Sequence, residues 1–264
     1  MGNVIRTCGL AFVVVALWAH STDVARTQAV TDGLVAHWPM DKIEGNAVKD
    51  ASGGSDADIV DSVLATGNGQ VGKAVEFDGA GYGDTGVELM EFGDGYSITA
   101  WIRTSEVGVS ILSKGNGAGW GPSEKELYVA DAATSEGPNT GPVEMVGWGC
   151  AWIRGSIPVN DGVWHHIAIT WDDGAGEGHA YVDAVEGTHS VDYNGCQDNP
   201  GDFVRIGFSE SGHSASNFDG AMDDLRIYDR ALSEEEVEQV MEHVAAVSPA
   251  DRLPLTWGAI KRTR

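Results

Sequence analysis

Residues 218–232 read FDGAMDDLRIYDRAL and run directly into Ser233-Glu234-Glu235-Glu236. Asp219-Gly220 is a turn signal, and the adjacent acids Asp223 and Asp224 precede an alternating stretch. In a strand the side chains alternate, so Leu225 and Ile227 point one way while Arg226 and Tyr228 point the other. Ser233 and Glu236 then stand at the spacing of a capping box, and acids in a first turn complement the positive end of a helix. Val237, Val240 and Met241 recur at helical spacing, which predicts a helix to about Val244 with one apolar stripe. The segment therefore reads as a closing strand followed by a short helix.

The chain upstream is a succession of strands. Gly162–Asp172 (GVWHHIAITWD) places His165, Ile167, Ile169 and Trp171 on one face, and Trp164, His166 and Thr170 on the other. Asp173-Gly174 turns it into a partner at His179–Val185, and Phe203–Phe208 is the penultimate strand. Tyr96–Thr104 sets Ile98, Ala100 and Ile102 opposite Trp101; Val109–Lys114 and Glu126–Ala130 follow. Val143–Ile153 (VEMVGWGCAWI) reads as one strand with Trp148, Cys150 and Trp152 on one side. At the other end, Leu34, Ala36 and Trp38 alternate with Val35 and His37 before Pro39 and Asp41, and Gly72–Gly79 makes a second early strand. The segments 50–58, 115–123 and 132–142 are rich in Gly, Ser and Asp or otherwise polar, as loops are. Gly67-x-Gly69-x-x-Gly72 matches a dinucleotide fingerprint in spacing, but a strand follows it where a helix is required.

Bulk composition bounds the function. At 264 residues the chain accommodates one all-β domain with tails, since sandwiches commonly run to roughly 200–250 residues. A formal charge of −24 excludes a general nucleic-acid binder, because phosphate backbones need lysine and arginine. Arg6 followed by the apolar run Leu10–Ala19 predicts an export signal over residues 1–21, too short to span a bilayer. Cys8 would leave with it. The remaining cysteines, Cys150 and Cys196, are an even pair in an exported chain and are expected to form a disulfide, whose loop-entropy contribution is about 4 kcal/mol at most. Residues 22–32 are a polar lead-in, 33–244 one domain without internal repeats, and 245–264 a tail carrying Arg252, Lys261, Arg262 and Arg264. No transmembrane segment is expected in the mature chain, and the expected location is secreted, extracellular or in the cell envelope.

Several blocks resemble a known family. GLVAHWPMD at the start, GKAVEFDG, YSITAWI, ILSK, VWHHIAITWD and the closing RALS are similar to the conserved strands of LamG-like jellyroll domains, relatives of the pentraxins within the concanavalin A-like sandwiches. The resemblance implies an all-β, two-sheet antiparallel β-sandwich with a short C-terminal helix. It also implies a structural calcium ion where the first and last strands meet. The matching positions are Asp41 and Asp223, with Asp224 as a further ligand and the Asp50 and Asp78 loops supplying carbonyls.

The residues themselves bear on two kinds of chemistry. Trp38, Trp101, Trp164 and Trp171 read as core, whereas Trp120, in a Gly-rich loop, and Trp148 and Trp152 are candidates for stacking on sugar rings. For catalysis, the strand pattern E-x-D-x-x-E of sandwich glucanases is absent, as are G-x-S-x-G and H-E-x-x-H. Adjacent acids and adjacent histidines (His165, His166) diverge on a regular strand. The expectation is an exported, non-catalytic recognition or adhesion module for a glycan or an extracellular protein. A polysaccharide hydrolase or lyase and a purely structural envelope protein are the alternatives.

Overall fold

A computed structural model describes residues 30–61, 65–89, 95–116, 121, 124–132, 141–148, 151–193, 201–210, 214 and 216–246. The expected export signal, the basic tail, Trp120, Cys150 and Cys196 lie outside the described residues.

In chain order the strands begin with β1 (Leu34–Trp38), β2 (Ile43–Glu44), β3 (Ala47–Val48), β4 (Ala57–Val60), β5 (Ala65–Asn68), β6 (Lys73–Asp78) and β7 (Tyr82–Asp84). They continue through β8 (Tyr96–Arg103), β9 (Val109–Gly115), β10 (Lys125–Val129), β11 (Pro142–Gly147), β12 (Ala151–Pro158) and β13 (His165–Asp172). The last are β14 (Glu177–Val182), β15 (Val185–Glu186), β16 (Thr188–Tyr193), β17 (Phe203–Ile206), β18 (Ser216–Asn217) and β19 (Asp219–Tyr228), before helix α1 (Glu234–Ala246). Among the described residues they form two sheets. The smaller runs β15-β14-β13-β8-β19-β6-β5, with β1 also paired to β19. The larger runs β16-β12-β11-β10-β9-β17-β7-β4-β3-β2. Pairing is antiparallel except where β18 lies parallel to β9. The architecture is the expected two-sheet sandwich with a C-terminal helix.

The alternation read from the sequence decides what lies between the sheets. Ala36, Trp38, Ile98, Ile102, Ile167, Ile169, Trp171, Leu225 and Ile227 come from the smaller sheet and are all buried. They meet Ile111, Leu127, Val129, Met145, Ile153 and Ile206 from the larger. Each valine, leucine, isoleucine or methionine among them contributes about 1.5–3 kcal/mol on leaving water. The closing strand sits between β8 and β6 and also carries β1, so both ends of the domain are joined in one sheet.

Helix α1 closes a second cluster on the far side of that sheet. Val237 and Val240 pack with Ala168, Tyr181, Tyr228 and Leu232, while Met241 is only half-buried. The capping box is present: Glu236 N donates to Ser233 Oγ at 3.3 Å and Ser233 N to Glu236 Oε2 at 3.0 Å. Arg230 grips the same carboxylate with two N–H groups at 2.7 and 2.8 Å, tying strand exit to helix entry.

Two expectations need correcting. VEMVGWGCAWI is not one strand but the hairpin β11–β12, with Val146 opposite Trp152 and Trp148 in the turn. Trp148 and Trp152 therefore do not alternate along one strand. Of the four tryptophans expected in the core, Trp38 and Trp171 lie between the sheets, and Trp101 is buried as expected, on the face opposite Ile98, Ala100 and Ile102 and against His166, with ring centroids 5.3 Å apart. Trp164 is half-buried beneath the Arg103 guanidinium, 5.1 Å from its centroid.

Candidate functional site

The closing strand breaks its alternation at the two acids. Register shifts between Asp223 and Arg226, and Asp224 adopts a left-handed φ of 50°. Such a bulge inserts one extra residue and re-aims its side chain. Asp223 stands opposite Trp101, and Asp224 reaches His37 Nε2 at 2.6 Å and Arg226 at 3.0 Å. Both carboxylates thus occupy the outer side of the sheet, against the expectation that adjacency sends them to opposite faces.

Asp223 is fully buried. Its Oδ2 accepts the Val71 N–H at 2.8 Å, whereas Oδ1 has no hydrogen-bond partner among the described residues. Burial pushes its pKa up to about 7, and the charges of Asp224 and Asp41 add to the rise. Asp41 belongs to the same locality, its Oδ1 accepting the Lys73 N–H at 3.0 Å. The turn 69–73 wraps both carboxylates closely: a Cβ at Gly72 would strike Asp41 Oδ1, and one at Gly69 would strike Asp223 Oδ2. Gly72 also has a φ of 67°, which favours glycine.

This arrangement fits the cation that the family resemblance implies. A buried carboxylate oxygen with an open valence and a second carboxylate beside it supply hard-oxygen donors. Among the described residues no group of three or more His, Cys, Asp or Glu side chains could hold a metal. Asp41 and Asp223 would hold the ion, with carbonyls and water completing its shell.

At the other expected positions the carboxylates bond locally. Asp50 accepts from the backbone N–H groups of His37, Ser52, Gly54 and Ser55, at 2.9–3.0 Å, and from Ser52 Oγ at 2.6 Å. Burial would raise its pKa, but these hydrogen bonds outweigh it and lower the value. Asp78 accepts the N–H groups of Ala80 and Gly81 in a turn. Asp224 is held by His37 and Arg226.

The aromatic candidates lead to the outer face of the larger sheet. Trp148 is 43% exposed in the β11–β12 turn, its N–H fixed to Glu124 O at 2.9 Å. Trp152 is half-buried; its Nε1 donates to Glu144 Oε2 at 2.9 Å, and the Arg154 guanidinium lies 3.9 Å from its ring centroid. One indole face of Trp152 is thereby covered, which leaves Trp148 as the accessible platform. Glu144 also accepts from Tyr128 OH at 3.0 Å.

That face holds acids the sequence reading did not single out. Glu124, Glu126 and Glu144 are buried at its centre, and Arg205 pairs with Asp84 at 3.1 Å and Glu210 at 2.7 Å. Ser214, from the segment leading into β18, bonds Glu126. Burial raises Glu124 to about 7, against the lowering effect of the Gly121 N–H that it accepts. The available signal was an acid set among apolar neighbours, as in Val143-Glu144-Met145-Val146.

Two antiparallel sheets packed on one apolar core, with both ends of the domain joined in one sheet, define a jellyroll-type β-sandwich. The family described as the concanavalin A-like lectin/glucanases superfamily matches residues 77–238, and the chain belongs to it. The mouse pentraxin-related protein PTX3 is 28% identical over 156 residues, 54% of this chain and 38% of that protein, so the chain spans well under half of that relative. Domain 4 of AbnA, an extracellular GH43 arabinanase of Geobacillus stearothermophilus solved with arabinotriose, superposes with a TM-score of 0.57 at 20% identity, covering 78% of this chain and 97% of that one. Trypanosoma rangeli sialidase in complex with sialic acid gives a TM-score of 0.51 at 16% identity, covering 82% and 34% respectively. These two likenesses are of fold.

The expectation that the chain is not an enzyme is corrected by these structures. It rested on a missing acid pair along one strand, yet the fold occurs within an arabinanase and a sialidase. A bulge at Asp223-Asp224 and acids contributed by neighbouring strands escape a single-strand pattern. Among the described residues no helix is long and apolar enough to cross a membrane.

Proposed function

We propose that this chain is an exported carbohydrate-recognition domain that engages sugars at the Trp148 rim of its larger sheet and carries a structural calcium ion at Asp41 and Asp223. The carrying observation is Trp148, a large apolar side chain 43% exposed at a turn whose backbone is fixed to Glu124. An exposed indole on a fixed stretch of backbone offers a flat apolar surface to a sugar ring. Membership of a lectin/glucanase superfamily and the arabinotriose bound to AbnA domain 4 support the ligand class. Calcium would bind the closing strand to the turn 69–73 and the end of β1, far along the chain from the rim, and so act on stability.

The test is binding of the purified chain to an oligosaccharide panel that includes arabinotriose, beside a Trp148→Ala variant. The expected result is binding by the parent chain and a loss of about tenfold or more in the variant, in the range of truncating a central aromatic contact. Equal binding by the two proteins would remove Trp148 from the site.

A further inference from the structure

Charge at the rim narrows the ligand class further. Between Gly115 and Ser216 the sequence holds three cationic residues, Lys125, Arg154 and Arg205. This stretch supplies β10 to β12, β16 and β17, the strands around Trp148 and Trp152, as well as β13 to β15 of the smaller sheet, and the adjoining β9 adds a fourth cation, Lys114. The cations are withdrawn from solvent. Lys114 and Lys125 are 0%, Arg154 6% and Arg205 7% exposed. Arg154 covers the Trp152 ring and reaches Ser190 Oγ at 3.4 Å, while Arg205 is held by Asp84 and Glu210. Asp192, by contrast, is exposed directly across from Trp152 in the register.

Resting on the proposed sugar-binding rim, we infer that the rim selects uncharged oligosaccharides and rejects those bearing carboxylate or sulfate groups. A bound anion there would face exposed Asp192, and the lysines and arginines of the surrounding strands are buried and so unable to receive it. The residues of this stretch outside the description, 117–120, 122–123, 133–140, 149–150, 194–200, 211–213 and 215, contain no lysine or arginine either. Hydroxyl groups are the natural partners of carboxylate acceptors, which take O–H donors and have none to give when ionised. Like-charge juxtaposition across an interface works against the wrong partner more than it strengthens the right one.

Calorimetry with matched pairs at low salt separates the outcomes: arabinotriose and xylotriose against trigalacturonate, and lactose against sialyllactose and a sulfated lactose. The expected result is at least about tenfold tighter binding of the uncharged member, a gap that narrows as salt screens the field. An Asp192→Lys variant, altered at an exposed edge-strand position, should narrow the gap by raising affinity for the charged member. Equal or tighter binding of the charged member overturns the inference while leaving sugar recognition intact. Absence of binding to every sugar, charged or not, overturns sugar recognition at the rim, and this selectivity with it.

Discussion

His166 and its neighbour His165 show how far a single residue's role follows from its place on a strand. The two were expected to diverge, and they do. His165 bridges Asp161 at 3.2 Å and Asp183 at 2.8 Å, whereas His166 is 1% exposed and packs on Trp101. Burial drives the His166 pKa down from 6.5 to about 4, even though the negative charge of Asp224 acts to raise it. In the unfolded chain the ring protonates near 6.5, so between those two pH values the unfolded state binds more protons and the fold loses stability as pH falls. The contribution is on the order of 3 kcal/mol at most, at ~1.4 kcal/mol per pKa unit. Urea unfolding of the parent chain and a His166→Gln variant from pH 7 to pH 4 should show the parent losing more stability across that window. Parallel curves would show that the imidazole does not titrate with folding. The Asp223-Asp224 pair was less legible, because whether two adjacent acids diverge depends on a bulge, and a bulge is a property of the register with β8 rather than of the residues themselves.

At the scale of elements, the helix was readable because its start is chemically marked. Removing the Ser233 cap by Ser233→Ala should destabilise the protein by about 1 kcal/mol. Glu236→Ala should cost more, because that carboxylate accepts from both Ser233 N and the Arg230 fork. Thermal melts of the two variants order the effects, and an Ser233→Ala loss exceeding that of Glu236→Ala would contradict the double role. The strands Tyr96–Arg103 and His165–Asp172 were legible for a different reason, since apolar residues of one parity fill the core. That same reasoning failed at β11–β12. Its apolar alternation passes through Gly147 and Gly149 without a polar interruption, and only the glycines hinted at a turn. Strands β2 and β3, at two residues each, are too short to carry any period. The acids of the larger sheet's outer face were illegible because a polar residue on a strand is ordinarily read as solvent-facing, while Glu126 and Glu144 are covered.

Across the whole molecule, both ends of the domain are brought to one place, and the charge there is unfavourable as it stands. β1 ends near Asp41, the closing strand supplies Asp223, and the turn 69–73 bonds both. The chain carries −24 overall, and Asp223 is fully buried with Asp41 and Asp224 raising its pKa further. A divalent cation between Asp41 and Asp223 would convert that repulsion into attraction, and binding to the folded state alone stabilises it by about 2.7 kcal/mol at a ligand concentration of one hundred times Kd. For a domain of this size that corresponds to a rise in Tm of about 5–10 °C. EDTA should therefore lower the melting temperature of the purified chain, calcium should restore it, and the Trp148→Ala variant should respond as the parent does. Asp223→Asn separates the cation from the bare fold. The amide keeps an oxygen for the Val71 N–H and removes a buried charge, so the variant should melt at or above the metal-free parent at pH 7 while losing the response to calcium. A parent chain whose melt is the same in EDTA and in millimolar calcium would leave Asp41 and Asp223 as turn residues, and their shared turn would then be the whole of their role.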